Sequence, residues 1–255
     1  MYDMPPEIDV RADGDIRIIT LNRPESLNAV NDDLHCGLAA LWPRLSADHD
    51  ARAAVLTGAG RAFSAGGDFA YLAEIAEDPR LRAKTLLHGR EIVLGMTRCR
   101  IPVVAAVNGP AVGLGCSLVA LSDIVYIARD AYLADPHVQV GLVAADGGPI
   151  TWPLHISLLL AKEYALTGAR IPAQRAVELG LANHLSDDPL ADAIEAAKRL
   201  TTLPRQALEA TKRLLNIHME RAVLATLDYG NTAEEQSFGT EDFRAIVAGL
   251  NARKN

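Results

Sequence analysis

Cysteine is scarce in this 255-residue chain. The three present (Cys36, Cys99 and Cys116) are widely spaced and odd in number, which fits neither a disulfide framework nor a zinc site and suits a reducing, cytoplasmic location. Aromatic residues make up only 5%, which leaves little material for the stacking platforms that bind single-stranded nucleic acid. Basic charge is also short, with 25 Lys and Arg against 32 Asp and Glu, for a net charge of −7. Phosphate backbones need a basic face, so no nucleic-acid partner is expected. No apolar run approaches the roughly 20 residues that span a bilayer, so no membrane partner is expected. The opening MYDMPPEIDVRADGD is polar and acidic, unlike a secretory signal. The histidines show no His-x-x-x-His pair, and no metal site is expected.

What remains is ordinary for a globular protein: 49% hydrophobic and 22% charged residues, enough for one large domain with a substantial core. Residues 16–21 read as a strand stopped by Asn22-Arg23-Pro24. A helix over 31–46 follows, with Asn31 or Asp32 as its cap, then a short strand over 53–57. Residues 81–98 read as a helix with Leu86, Leu87, Val93 and Leu94 at seven-residue spacing on its core face. The apolar runs PVVAAV (102–107) and DIVYIA (123–128) read as strands buried on both faces, with a glycine-rich turn and short helix between them. Strands alternating with helices predict an α/β architecture. From about residue 149 the strand signal stops and helical patterns take over, several ending in a C-capping glycine. The expected division is an α/β core over 1–195 and a helical region over 196–255.

Three segments carry chemistry. In Ser64-Ala65-Gly66-Gly67-Asp68, adjacent glycines before a helix expose backbone N–H groups, although an ordinary tight turn reads the same way. In Gly113-Leu114-Gly115-Cys116-Ser117, a glycine-rich turn opens a helix, where free N–H groups collect. It falls one glycine short of a nucleophile elbow, and Ser117 reads as a small packing residue. The third segment runs from Asp135-Pro136-His137 to Asp146-Gly147-Gly148. A carboxylate near a histidine fixes its tautomer and makes a general base, so His137 and Asp146 form a candidate dyad. The bland alternatives are a turn histidine and a helix N-cap.

In this order, AVLTGAGRAFSAGGDF, IPVVAAVNGPAVGLGCSLVALSDIVYIA and HVQVGLVAADGGP resemble the crotonase (enoyl-CoA hydratase/isomerase) superfamily. The likeness runs from LNRPESLNAV to ARIPAQRAVELGLANHL. It implies a spiral of ββα units with C-terminal helices that assemble homotrimers, often paired as hexamers. It implies an acyl-CoA thioester substrate and no separate cofactor, coenzyme A entering as part of the substrate. It implies an oxyanion hole at the N–H groups of Gly67 and Leu114. It also implies contacts to the CoA ester at Leu27, Ala29, Ala65, Asp68 and Phe69.

The chain departs from hydratases of the superfamily at their two catalytic glutamates. Ser117 and His137 stand in those places. The Pro-His and Asp-Gly pairs, nine residues apart, resemble the β-diketone hydrolase branch, which activates water for C–C cleavage. The first expectation is therefore hydratase- or isomerase-type chemistry with His137 as general base, oriented by Asp146. Retro-Claisen hydrolysis of a β-diketone or β-ketoacyl-CoA is one alternative, and non-catalytic acyl-CoA binding is another. Glu234 or Glu235, in the C-terminal region, is a candidate additional acid, against the plainer reading of a solvated helix face.

Overall fold

The computed structural model describes residues 2–252. Its main sheet has six strands: β1 (Ile8–Asp13), β2 (Ile16–Leu21), β3 (Ala53–Gly58), β4 (Val103–Val107), β6 (Ile124–Ala128) and β9 (His184–Ser186), side by side in that order. Within this sheet β1 and β2 pair antiparallel and the other neighbours pair parallel. A second sheet joins β5 (Ala111–Val112), β7 (Tyr132–Ala134) and β8 (Ile171–Pro172). The helices are α1 (Asp32–Ala47), α2 (Phe69–Glu77), α3 (Pro79–Arg98), α4 (Leu114–Ala120), α5 (Gly148–Thr151), α6 (Leu158–Thr167), α7 (Ala173–Leu179), α8 (Pro189–Thr201), α9 (Arg205–Phe238) and α10 (Glu241–Ala252).

Strand alternation builds a core on each face of the main sheet. Ile19, Leu21, Leu56, Val103, Ala105 and Ile127 point to the side packed by α1 and α3. Ile18, Val55, Val104 and Ala106 point to the other side, where Ala193, Ala196 and Ala197 let α8 lie close to the sheet. This double coverage is why the central strands read as unbroken apolar runs. A third cluster joins Tyr71 and Ile75 of α2 to Phe238, Phe243 and Val247 at the end of the chain. Phe238 and Phe243 meet edge to face, centroids 5.2 Å apart, so α10 folds back over α2.

Most elements lie where the sequence puts them. Asn31 caps α1, accepting the Leu34 N–H, and Gly168 and Gly180 end α6 and α7 in the left-handed conformation. Leu87 is a correction: it is 54% exposed, because α3 buries Ile92, Val93 and Met96 instead. The strand signal also does not stop at 149, since β8 and β9 follow. Both are two or three residues long, too short for alternation to register. The boundary at 195 falls inside α8, which belongs to the sheet's packing; the long α9 begins beyond it. Among the described residues no helix is long and apolar enough to cross a membrane.

Candidate active site

Two loops are knitted together at the ends of β3 and β4. The Asn108 side-chain amide donates to the carbonyls of Gly58 and Gly60, at 2.9 Å each. Phe63 and Ser64 donate their N–H groups to Pro110 O, and Val112 N–H donates to Ser64 O. The Ser64 hydroxyl in turn donates to Asn28 O at 2.8 Å. Val30 N–H donates to Gly66 O, and Asp68 N–H donates to Val30 O. This parallel bridge bonds the residues on either side of Gly67 and turns the Gly67 N–H away from Val30.

Glycine is required at two points here. Gly66 has φ +86°, and a Cβ on it would lie 3.1 Å from Val112 O. Gly113, with φ +53°, sits against Gly66 and against the His137 ring, each 3.6 Å from where its Cβ would be. Each strained glycine is followed by the residue whose N–H matters. Gly67 follows Gly66, and Leu114 follows Gly113 as the first residue of α4, where helix N–H groups have no intrahelical acceptor. Both line one cavity, and neither N–H meets an acceptor among the described residues. The pair forms two preorganised donors on apposed loops, a geometry chemically able to stabilise an oxyanion.

β7 delivers the imidazole. His137 Nδ1 donates a short hydrogen bond to Asp135, whose other oxygen accepts the Gly148 N–H at 2.6 Å. Asp135 is only 2% exposed. The sequence reading gave this orienting place to Asp146, but the hydrogen bond belongs to Asp135. The Pro136 turn folds the chain so that Asp135, two residues away, meets Nδ1. Asp146 lies on the other side of the ring, its Oδ1 4.0 Å from Nε2. Nor does Asp146 cap the following helix, since Asp135 takes that N–H. The signal for Asp135 was present in the sequence, a carboxylate two residues before the histidine.

Glu234, reaching in from α9, lines the same cavity as His137 and Asp146. Glu235 is exposed. Ser117 is buried, and its hydroxyl donates back to Gly113 O of its own helix. Ala65 and Phe69 line an adjoining cavity of about 150 Å³ that shares Gly67 and His137 with the first. Leu27, with φ +54°, accepts the Ala65 N–H at 2.9 Å. Asp68 caps α2 and pairs with Arg23, whose guanidinium also donates to Ala29 O. Two of the segments expected to contact the CoA ester, 27–29 and 65–68, are thus bonded to each other.

Burial works against charge on His137, but Asp135, Asp146 and Glu234 outweigh it and push its pKa up to about 10. Asp135 is held below the usual carboxylate range despite its burial, because of His137 and the Gly148 N–H. Burial raises Asp146, and burial with the neighbouring carboxylates pushes Glu234 up to about 8. At neutral pH the ring is therefore an imidazolium paired with Asp135, and Glu234 carries its proton. A raised histidine pKa contributes stability that is complete below about 6.5 and lost as pH climbs through about 10. Asp135→Asn should drop the His137 pKa below neutrality, because the buried ring loses its counter-charge. A histidine titration followed by NMR reads the shift directly; a pKa still near 10 would remove Asp135 from this role.

The enoyl-CoA hydratase/isomerase family model matches residues 11–254. A probable enoyl-CoA hydratase of Mycobacterium tuberculosis is 37% identical over 94% of this chain and 96% of its own. A 1,2-epoxyphenylacetyl-CoA isomerase of Escherichia coli is 32% identical over 94% and 93%. The crystal structure of an enoyl-CoA hydratase/isomerase from Mycobacterium paratuberculosis superposes with a TM-score of 0.97 at 79% identity, covering 98% of this chain and all of that one. The two-sheet architecture with its long C-terminal helix is thus the crotonase fold, and the chain is an enzyme of the enoyl-CoA hydratase/isomerase family.

Proposed function

We propose that the enzyme adds water to, or shifts the double bond of, an unsaturated acyl-CoA thioester. The observation that carries this reading is one cavity lined by two unengaged backbone donors and a charged imidazole flanked by carboxylates. The thioester oxygen would lie on the Gly67 and Leu114 N–H groups. Water attacks the β-carbon and yields its proton to the Asp146 carboxylate. The enolate on the donors is then protonated at the α-carbon by His137 Nε2–H, and Asp146 returns its proton across the 4.0 Å gap. In the reverse, dehydrating direction the neutral imidazole is the general base, the role that the sequence suggests. No cofactor enters these steps beyond the coenzyme A of the substrate.

Hydration assays on a panel of enoyl-CoA esters, run in heavy water, test the reading: one deuterium should appear at the α-carbon of the product. No turnover of any ester would overturn it. Glu234 is the additional acid in this scheme, neutral at pH 7 and positioned to hold the water. Glu234→Gln should keep activity at pH 7 within several-fold and abolish a titration near pH 8 in the pH–rate profile. An unchanged profile would place that titration elsewhere.

The Asp135–His137 hydrogen bond favours a second reading, hydrolysis of a C–C bond in a β-diketone or β-ketoacyl-CoA, because a carboxylate on Nδ1 is what hydrolytic triads use. Ring-opened acid from cyclic 1,3-diketones, seen by mass spectrometry, would select it. We also assign the enzyme to homotrimers, alone or paired as hexamers, in the cytoplasm. Exposed Leu214, Leu215, Leu224 and Tyr229 on α9, and Leu158, Leu159 and Leu166 on α6, supply apolar surface for such contacts.

A further inference from the structure

Three polar side chains line the same cavity and take no part in the chemistry above: His35 from α1, Tyr71 from α2 and Thr85 from α3. Thr85 donates its hydroxyl proton to Leu81 O at 2.9 Å, and the Tyr71 hydroxyl lies 2.7 Å from Thr85 Oγ1 and 3.2 Å from Asp32 Oδ1. The single Tyr71 proton is used within that network. His35 differs: the residue is 6% exposed, and its Nδ1 is buried with no hydrogen-bond partner among the described residues. Burial, then the neighbouring His88, push its pKa down to about 3, so the ring stays neutral, with one N–H and one bare nitrogen. Its depressed pKa contributes stability present above about 6.5 and lost as pH falls toward 3, so the ring is not a charge site in the working range.

Neither ring nitrogen of His35 makes a hydrogen bond among the described residues, and because Nδ1 has no open surface, the Nε2 edge is the one that a ligand in the cavity can reach and satisfy. The adjoining cavity has a different lining. Phe69, Leu72, Val112, Pro136, Val140 and Leu142 make it apolar, so the polar wall is confined to the inner space. A plain alkyl chain would leave that wall desolvated and unpaired.

We propose that the acyl group of the substrate carries an oxygen function, a hydroxyl or carbonyl beyond the reacting carbons, that hydrogen-bonds to His35 beside Tyr71. This rests on the acyl-CoA reading above and narrows it from fatty enoyl esters to oxygenated ones. His35 is here a specificity residue, not a catalytic one.

The test compares trans-hexenoyl-CoA with its ω-hydroxy counterpart in wild type, His35→Leu and His35→Gln, after thermal melts have established that each variant is folded. Wild type should favour the hydroxylated ester by about tenfold or more in kcat/KM, since a site built to hydrogen-bond a substrate hydroxyl rejects the analogue lacking it. His35→Leu should lose that preference and His35→Gln should restore much of it. Equal turnover of the two esters by wild type, or a preference unchanged in His35→Leu, would overturn the inference. If neither ester reacts, calorimetry with hexanoyl-CoA and its ω-hydroxy counterpart separates the two ideas. Tighter binding of the hydroxylated ligand, abolished in His35→Leu, supports the subsite although the proposed chemistry fails; equal affinities remove the subsite as well.

Discussion

His137→Ala should lower kcat/KM for hydration about a thousandfold, within the range that a positioned acid–base group contributes. Two effects combine in this number. The α-carbon loses its proton donor, and Asp135 is left as a buried carboxylate (2% exposed) whose charge was balanced by the imidazolium. The second effect also reaches stability, so the variant should melt several degrees lower. His137→Gln separates the two, because an amide can occupy the Asp135 oxygen but cannot give up a proton at the α-carbon. Both variants should lose turnover, while His137→Gln keeps more of the melting temperature. The residual rate should come from the oxyanion donors, which neither substitution touches. A His137→Gln enzyme that keeps near-wild-type kcat would dismiss the imidazole from the chemistry.

Leu114→Pro should cost about 10²–10³ in kcat, the usual price of one oxyanion donor. Backbone donors are ordinarily beyond the reach of mutagenesis, but this one is an exception. Leu114 is the first residue of α4, the position where proline is accommodated without breaking a helical hydrogen bond. The residue before it is Gly113, at φ +53° and ψ −126°, so no side chain there obstructs the ring. Leu114 is also 6% exposed, so the variant loses apolar packing as well. Leu114→Ala supplies the control, with the same lost packing and the N–H retained. The expected outcome is a large fall in kcat for proline and a small one for alanine, with matching circular dichroism. Equal kcat values in the two variants would take Leu114 out of the oxyanion hole.

The α/β class could be read from the chain because β3, β4 and β6 are covered on both faces, which turns each into an apolar run with punctuated ends. Short edge strands left no such trace: β9 contributes three residues, and its histidine is exposed. The two donor loops were legible because they need glycine at positive φ, a demand written directly into residue type. The partner of His137 was harder to identify. Both Asp135 and Asp146 lie close in sequence, and spacing cannot say which side of a ring a carboxylate approaches. That depends on the turn through Pro136 and on the pull of the Gly148 N–H. Glu234, nearly a hundred residues downstream of His137, reaches the cavity only because α9 packs along α3 and then returns through α10. His35 gave no signal at all, since an amphipathic helix with one histidine on its inner face reads simply as core.

The apposition of Gly66 with Gly113 has a wider consequence. The element proposed to stabilise the anion is made of peptide groups, held by Asn108, by Ser64 and by strand-like bridges between loops. None of the bonds that hold it uses the side chain of His137, Asp146 or Glu234. The side chains to which the proposed reaction gives proton transfer, His137 and Asp146, hang from a neighbouring segment outside those two loops. The scaffold thus keeps the backbone donors apart from the side chains beside them, so new side chains at 137 or 146 demand no new loop geometry.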